Sequence, residues 1–150
     1  MQNKDNQNIV VDNTEKVLFL KGTNGKEFFE TLCEVGNLEK TKGAEYDNII
    51  DYTSANSQYN VELECNKNGE INYIRMMAIQ AKDYTNFFVA LSRLEYNGSD
   101  KAKLFNWIND NLEKEATTKI GDANFEISRS TSNKPILTMY TDGNAEFQEV

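Results

Sequence analysis

The chain is expected to fold as a single α+β domain, a mostly antiparallel sheet with about three helices packed on one face, in the order β-α-β-β-β-α-α-β-β. Three observations predict it. In Tyr59-Asn60-Val61-Glu62-Leu63-Glu64-Cys65 apolar and polar residues alternate strictly, the period of a strand with one buried face. Asn68-Gly69 follows at once, the strongest short hairpin signal, so the next strand returns antiparallel. Apolar residues then recur at helical spacing from Phe28 to Val35, from Tyr84 to Leu94 and from Leu104 to Leu112.

Taken in order, Val17-Leu18-Phe19-Leu20-Lys21 is a short apolar run stopped by Gly22, the pattern of a buried strand. Asn24 with Glu27 three residues on opens a helix whose apolar face is Phe28, Phe29, Leu32, Cys33 and Val35, and Gly36 supplies its stop. Residues 37–45 carry no periodicity and read as a polar loop, the expected place for a mobile insertion. From Tyr46 the pattern is β for about 35 residues, room for three strands. The turn at Asn68-Gly69 is expected to be type I′, with positive φ at both central residues. The return strand, residues 70–81, is apolar on both faces at Ile74-Arg75-Met76-Met77-Ala78-Ile79, which places it centrally in the sheet.

Asp83 is positioned to cap the second helix, with Tyr84, Phe87, Phe88, Leu91 and Leu94 as its stripe and Asn97-Gly98 as its end. Ser99 is expected to cap the third, which carries Leu104, Phe105, Ile108 and Leu112 with Trp107 beside them. Two strands close the domain, one over residues 123–127 and one over 136–140, joined by a turn at residues 130–133 ahead of Pro135. The expected organisation is a polar leader over residues 1–14, one domain over 15–142 and a tail over 143–150.

At 150 residues, 39% hydrophobic and 27% charged, the chain is long and apolar enough to bury a core, and too apolar to be intrinsically disordered. Its mean hydropathy is nonetheless low, at −0.67. The 24 acidic against 16 basic side chains give a net charge of −8, a field that repels nucleic-acid phosphate and anionic lipid. A nucleic-acid partner is disfavoured. The longest apolar run, Phe87 to Leu91, is far short of the roughly 20 residues needed to cross a bilayer, so no transmembrane segment is expected in this chain.

The chain has no histidine. That removes the usual general base near neutral pH, the partner of most serine and cysteine nucleophiles and the commonest transition-metal ligand. Gly22-Thr23-Asn24-Gly25-Lys26 sits where a phosphate loop would, but only two residues separate its glycines and Glu27 follows the lysine, so a turn and helix cap is the better reading. Asp47, Asp51, Glu62 and Glu64 could share one side of neighbouring strands, as acid and nucleophile in sugar hydrolysis or the ligands of a calcium ion would. A solvated sheet face has the same pattern. Asp142-Gly143-Asn144-Ala145-Glu146 has the composition of a calcium loop without its spacing or its distal glutamate, and reads as a frayed terminus. Asn97-Gly98-Ser99 fits the glycosylation pattern and also explains itself as a helix stop followed by a cap.

Cys33 and Cys65 form neither a C-x-x-C motif nor half of a zinc site. They are either buried free thiols or a disulfide tying the first helix to a strand, with both sulfurs facing one layer. No residue is assigned a catalytic, cofactor-binding or metal-binding role. The expectation is a protein that is not an enzyme and needs no cofactor.

The last third of the chain resembles the ends of extracellular lipoproteins of unknown function from low-GC Gram-positive gut bacteria. The residues that carry the likeness are Phe105-Asn106-Trp107-Ile108-Asn109-Asp110-Asn111-Leu112, Ala116-Thr117-Thr118-Lys119-Ile120-Gly121-Asp122-Ala123-Asn124-Phe125-Glu126-Ile127 and Pro135-Ile136-Leu137-Thr138-Met139-Tyr140-Thr141-Asp142. The resemblance implies a secreted or cell-surface-anchored binding or structural module, with a lipid anchor upstream and an unknown protein or cell-surface ligand as partner. The polar run from Gln2 to Asn8 suits a tether of that kind. The alternative is a cytoplasmic acidic inhibitor or immunity-type protein that covers a basic partner.

Overall fold

A computed structural model of the chain describes residues 16–144. The leader and most of the tail lie outside the described residues. A seven-stranded antiparallel sheet in the order β1-β2-β3-β4-β7-β6-β5 is formed by β1 (Ala44–Tyr46), β2 (Ile49–Ala55), β3 (Tyr59–Asn66), β4 (Ile71–Ala78), β5 (Ala116–Ile120), β6 (Ala123–Arg129) and β7 (Pro135–Tyr140). Three helices accompany it: α1 (Gly25–Gly36), α2 (Thr85–Val89), which runs on as a 3-10 turn over Ala90–Arg93, and α3 (Lys101–Asn111). The α+β class and the helix layer on one face agree with the sequence. The strand doubly apolar in sequence, β4, is the fourth of seven, flanked by β3 and β7.

Alternation decides which side chains meet the helices. Val61, Leu63 and Cys65 of β3, Ile74 and Met76 of β4, Phe125 and Ile127 of β6, and Leu137 and Met139 of β7 are all buried in one core with Phe29 and Leu32 of α1, Phe87 and Phe88 of α2 and Ile108 of α3. Gly36 is buried because a Cβ there would lie 2.8 Å from the Phe87 ring. Its smallness lets α1 approach α2. The left-handed residue that ends α1 is Asn37, at φ 56, rather than Gly36.

Several elements depart from expectation. The run at residues 17–21 makes one bridge, Leu20 to Ile71, instead of a strand. The reason is occupancy: beyond Ile71, β4 is paired by β3 on one side and β7 on the other, leaving no edge for a further ladder. Ala44 and Glu45, expected to be loop, join Tyr46 in β1, and β5 is an added strand before β6. The hairpin between β3 and β4 is not type I′. Only Gly69 has positive φ there, and bonds from Gly69 N to Asn66 O (2.9 Å) and from Asn66 N to Glu70 O (2.9 Å) describe a turn closed by a glycine bulge. Asp100, not Ser99, caps α3, its carboxylate accepting from Lys103 N at 3.0 Å. Asp83 accepts weakly from Thr85 N at 3.4 Å, while Tyr84 stands at the N-cap of α2.

The entering segment is stapled to the end of β7. Thr141 Oγ1 donates to Leu18 O at 2.8 Å, Gly143 N to Val17 O at 3.3 Å, and Val17 N to Asp142 Oδ2 at 3.4 Å. Asp142 is therefore held rather than frayed, and Ala145 and Glu146 lie outside the described residues. Burial works to raise its pKa, but bonds from Asn124 and Val17 N and the nearby Lys119 outweigh it and lower the carboxyl below its usual range.

Thr23 fastens the same segment to the sheet. Its hydroxyl donates to Leu20 O at 2.6 Å and accepts from Ile71 N at 2.9 Å, both buried. Thr23→Val keeps the shape and removes both bonds, so it is expected to cost about 1–3 kcal/mol in urea unfolding, the range for stranding a buried donor. A loss under about 0.5 kcal/mol would mean that water reaches Ile71 N.

Candidate functional site

Where one sheet face carries the helices, the other carries none among the described residues. Its side chains fall into three rows that cross the strands. The first runs Asp51, Glu64, Tyr73, Tyr140, Asn124, Lys119; the second Thr53, Glu62, Arg75, Thr138, Glu126, Thr117; the third Ala55, Asn60, Met77, Ile136, Ser128. Ile136 and Thr138 are only 8% and 5% exposed although no helix covers them, and Ile136 lies outside the main core.

Four carboxylates (Asp51, Glu62, Glu64, Glu126) stand on this face against two cations, Arg75 and Lys119. Three of them, with Thr53 and Tyr73, line a depression of about 260 Å³ over β2–β4. Asp51 and Glu64 are direct cross-strand partners, a like-charge pair that weakens a sheet. Neighbours ease that repulsion: Tyr46 OH donates to Asp51 Oδ2, and Asn72 Nδ2 donates to Glu64 Oε2 at 2.8 Å. Arg75 Nη1 lies 3.6 Å from Glu62 Oε2. The bond to Asp51 holds the Tyr46 hydroxyl protonated, its pKa pushed up to about 12, and burial raises that of Tyr73.

Of the four carboxylates singled out in the sequence, the structure gathers Asp51, Glu62 and Glu64. Asp47 falls away from them, exposed at φ 54 in the turn between β1 and β2. Tyr46, Tyr73 and Arg75 complete the patch. Sequence reading missed these three, because β1 shows no period, β4 is apolar on both faces, and their pairing with the carboxylates depends on strand order.

The chain matches no family model and no curated protein. Among solved structures it is similar to a cysteine-rich secretory protein from Staphylococcus aureus subsp. aureus Mu50, at 13% identity and a TM-score of 0.41, over 85% of this chain and 47% of that one. The chain spans about half the length of that structure. The likeness is too slight to carry an argument about function.

Both cysteines are free and buried, in the core layer anticipated for them. They do not meet. A Cβ on Gly25, the first residue of α1, would lie 2.6 Å from Cys65 Sγ. Cys33 stands two turns further on, about 12 Å along the axis at ~1.5 Å per residue, beyond the roughly 7 Å Cα separation that a bridge tolerates. Burial is the main cause that pushes each thiol from 9.0 up to about 11, with Glu30 adding to it at Cys33 and Asp51 at Cys65.

Intact mass is therefore expected to be the same with and without reductant, and both thiols to alkylate only as the protein unfolds. A difference of two hydrogens would contradict this placement. The raised values make stability depend on pH: it is undiminished below pH 9.0 and falls as pH climbs to about 11, because the unfolded thiols ionise in that window while the buried ones stay protonated. Replacing both residues by alanine should flatten the alkaline limb of a stability–pH curve.

No group of three or more potential metal ligands occurs among the described residues. No helix there is long and apolar enough to cross a membrane. The residues that carry the lipoprotein resemblance build α3, β5, β6 and β7, and many of them, such as Ile108, Phe125, Ile127, Leu137 and Met139, are core.

Proposed function

We propose that the protein is a non-catalytic binding module at a bacterial cell surface, and that the helix-free sheet face is its contact surface for a basic protein segment. The observation that carries this is the facing pair Asp51 and Glu64, like charges retained beside Glu62 and the tyrosines Tyr46 and Tyr73 on an uncovered face. A lysine- or arginine-rich segment laid over β2–β4 would relieve that repulsion and find flat aromatic surface beside it. The surface location rests on the lipoprotein resemblance.

Titrating isotope-labelled protein with a lysine-rich decapeptide tests the contact. Amide shifts are expected to concentrate on β2–β4, to weaken several-fold as salt rises, and to disappear in the paired variant Asp51→Asn, Glu64→Gln. Shifts elsewhere, or unchanged binding by the variant, would overturn it. The same acidic face suits a cytoplasmic inhibitor of a basic partner, so location is tested apart: a lipoprotein leader encoded directly upstream supports the surface reading, and a native start at Met1 removes it.

A further inference from the structure

A second depression has the opposite sign. It measures about 530 Å³ and sits where the ends of β4, β6 and β7 meet the loop before α2 and the chain beyond α3. Its charged lining is Lys82, Arg129 and Lys134 against the single carboxylate of Glu113, a local excess of two positive charges on a chain whose net charge is −8. The depression on the sheet face, by contrast, is lined by three carboxylates and no cation.

Among the described residues, Lys82, Arg129 and Lys134 take part in no ion pair; the pairs there are Lys40–Glu34, Arg75–Glu62 and Lys119–Asp142. Glu113 is engaged by Tyr84, whose hydroxyl donates to Oε2 at 3.2 Å. Arg129 is fixed in place: its Nη2 donates to Leu112 O at 2.8 Å, at the end of α3. That bond uses one of five guanidinium donors and orients the planar fork. Lys134 begins the segment that leads into β7, after a tight turn in which Asn133 has φ 63, Ser130 N donates to Lys134 O at 2.9 Å and Lys134 N to Ser130 Oγ at 3.0 Å. Ile79 and Pro135 supply an apolar wall.

We infer that this depression is a binding site for a small organic oxyanion, a carboxylate or phosphate ester with an apolar or aromatic body. The oxyanion is held by the Arg129 fork with the two lysine ammonium groups beside it, and the body lies against Ile79 and Pro135. Positive charge gathered along the lining of a depression focuses the field and recruits such ligands even on an acidic protein. The site is independent of the acidic sheet face and of the function proposed for it.

Isotope-labelled full chain is titrated with phenyl phosphate, benzoate and inorganic phosphate, each at constant ionic strength held with sodium chloride. Saturable amide shifts are expected at Ile79, Lys82, Arg129, Asn133 and Lys134, with the aromatic anions saturating at least threefold lower in concentration than inorganic phosphate. Equal saturation by inorganic phosphate would remove the apolar wall from the site and overturn the organic-ligand assignment. The double variant Lys82→Gln, Lys134→Gln, which leaves the Arg129 bond to Leu112 in place, is expected to bind at least tenfold more weakly with an unchanged spectrum elsewhere. Shifts that never saturate, spread over all exposed lysines or survive in that variant would mean an adventitious ion only.

Discussion

Gly121→Ala is expected to lower stability by about 3 kcal/mol, the sum of a left-handed backbone penalty and overpacking against atoms that cannot swing aside. Gly121 has φ +59 in the turn between β5 and β6, and a Cβ there would lie 2.5 Å from Gly98 C and 2.6 Å from Asn97 O. The conflict is mutual. Gly98, at φ +82, would place its own Cβ 2.6 Å from Gly121 Cα. Two turns touch backbone to backbone here, and three bonds hold them: Asp122 N to Asn97 O at 3.2 Å, Asn97 Nδ2 to Asp122 Oδ2 at 3.2 Å, and Tyr96 OH to Ile120 O at 2.8 Å. Parting the turns to admit a methyl group would stretch all three. At this chain length the midpoint of thermal unfolding should fall by roughly 6–12 °C. Gly143→Ala is the control, because its Cβ would meet the end of the Leu18 side chain at 3.0 Å without a positive φ, and it should cost under about 1 kcal/mol. A Gly121→Ala loss no larger than the control's would refute the interlock.

Phe29→Ala is expected to cost about 3–5 kcal/mol, the range for emptying a buried aromatic site. Phe29 is fully buried on α1, and its ring lies 5.1 Å from that of Tyr52 on β2. No polar contact competes with that packing, so the loss should appear as a shifted urea midpoint with little change in slope. Phe29→Leu, which keeps most of the volume, should cost under about 1.5 kcal/mol. If both variants lose the same amount, the ring pair with Tyr52 and not the filled volume fixes α1 to the sheet.

Period alone made much of the fold legible. Strict alternation in β3 and the three helical stripes predict Val61, Leu63, Phe29, Phe88 and Ile108 as core, and all five are buried. What failed were segments whose pairing depends on partners far away. Thr117 and Lys119 of β5 are exposed at the sheet's edge, so the strand shows no apolar period. Residues 17–21 have the period of a buried strand, yet the edge they would need is taken by β7. Gly36 looked like a helix stop by type, but its burial against Phe87 is a tertiary fact. The site followed the same rule: Glu62 and Glu64 share a face because they are two apart, whereas their meeting with Asp51, Tyr73 and Arg75 is set by strand order.

The staple between the entering segment and the end of β7 has a kinetic consequence. Val17 and Asp142 are 125 positions apart, and Leu18 and Thr141 are 123 apart, so these bonds close nearly the longest loop that the described chain allows. A growing chain leaving the ribosome can complete every hairpin from β1 to β4 before residue 141 exists, but it cannot tie this knot. Loop-closure entropy sets the tie late even in a full-length chain, after the central pairing of β4 with β7 has brought the two ends together. Its bonds should then be absent from the folding transition state. Thr141→Val would quicken unfolding and leave the refolding rate unchanged, so the staple acts as a latch on the native state's lifetime and takes no part in finding it.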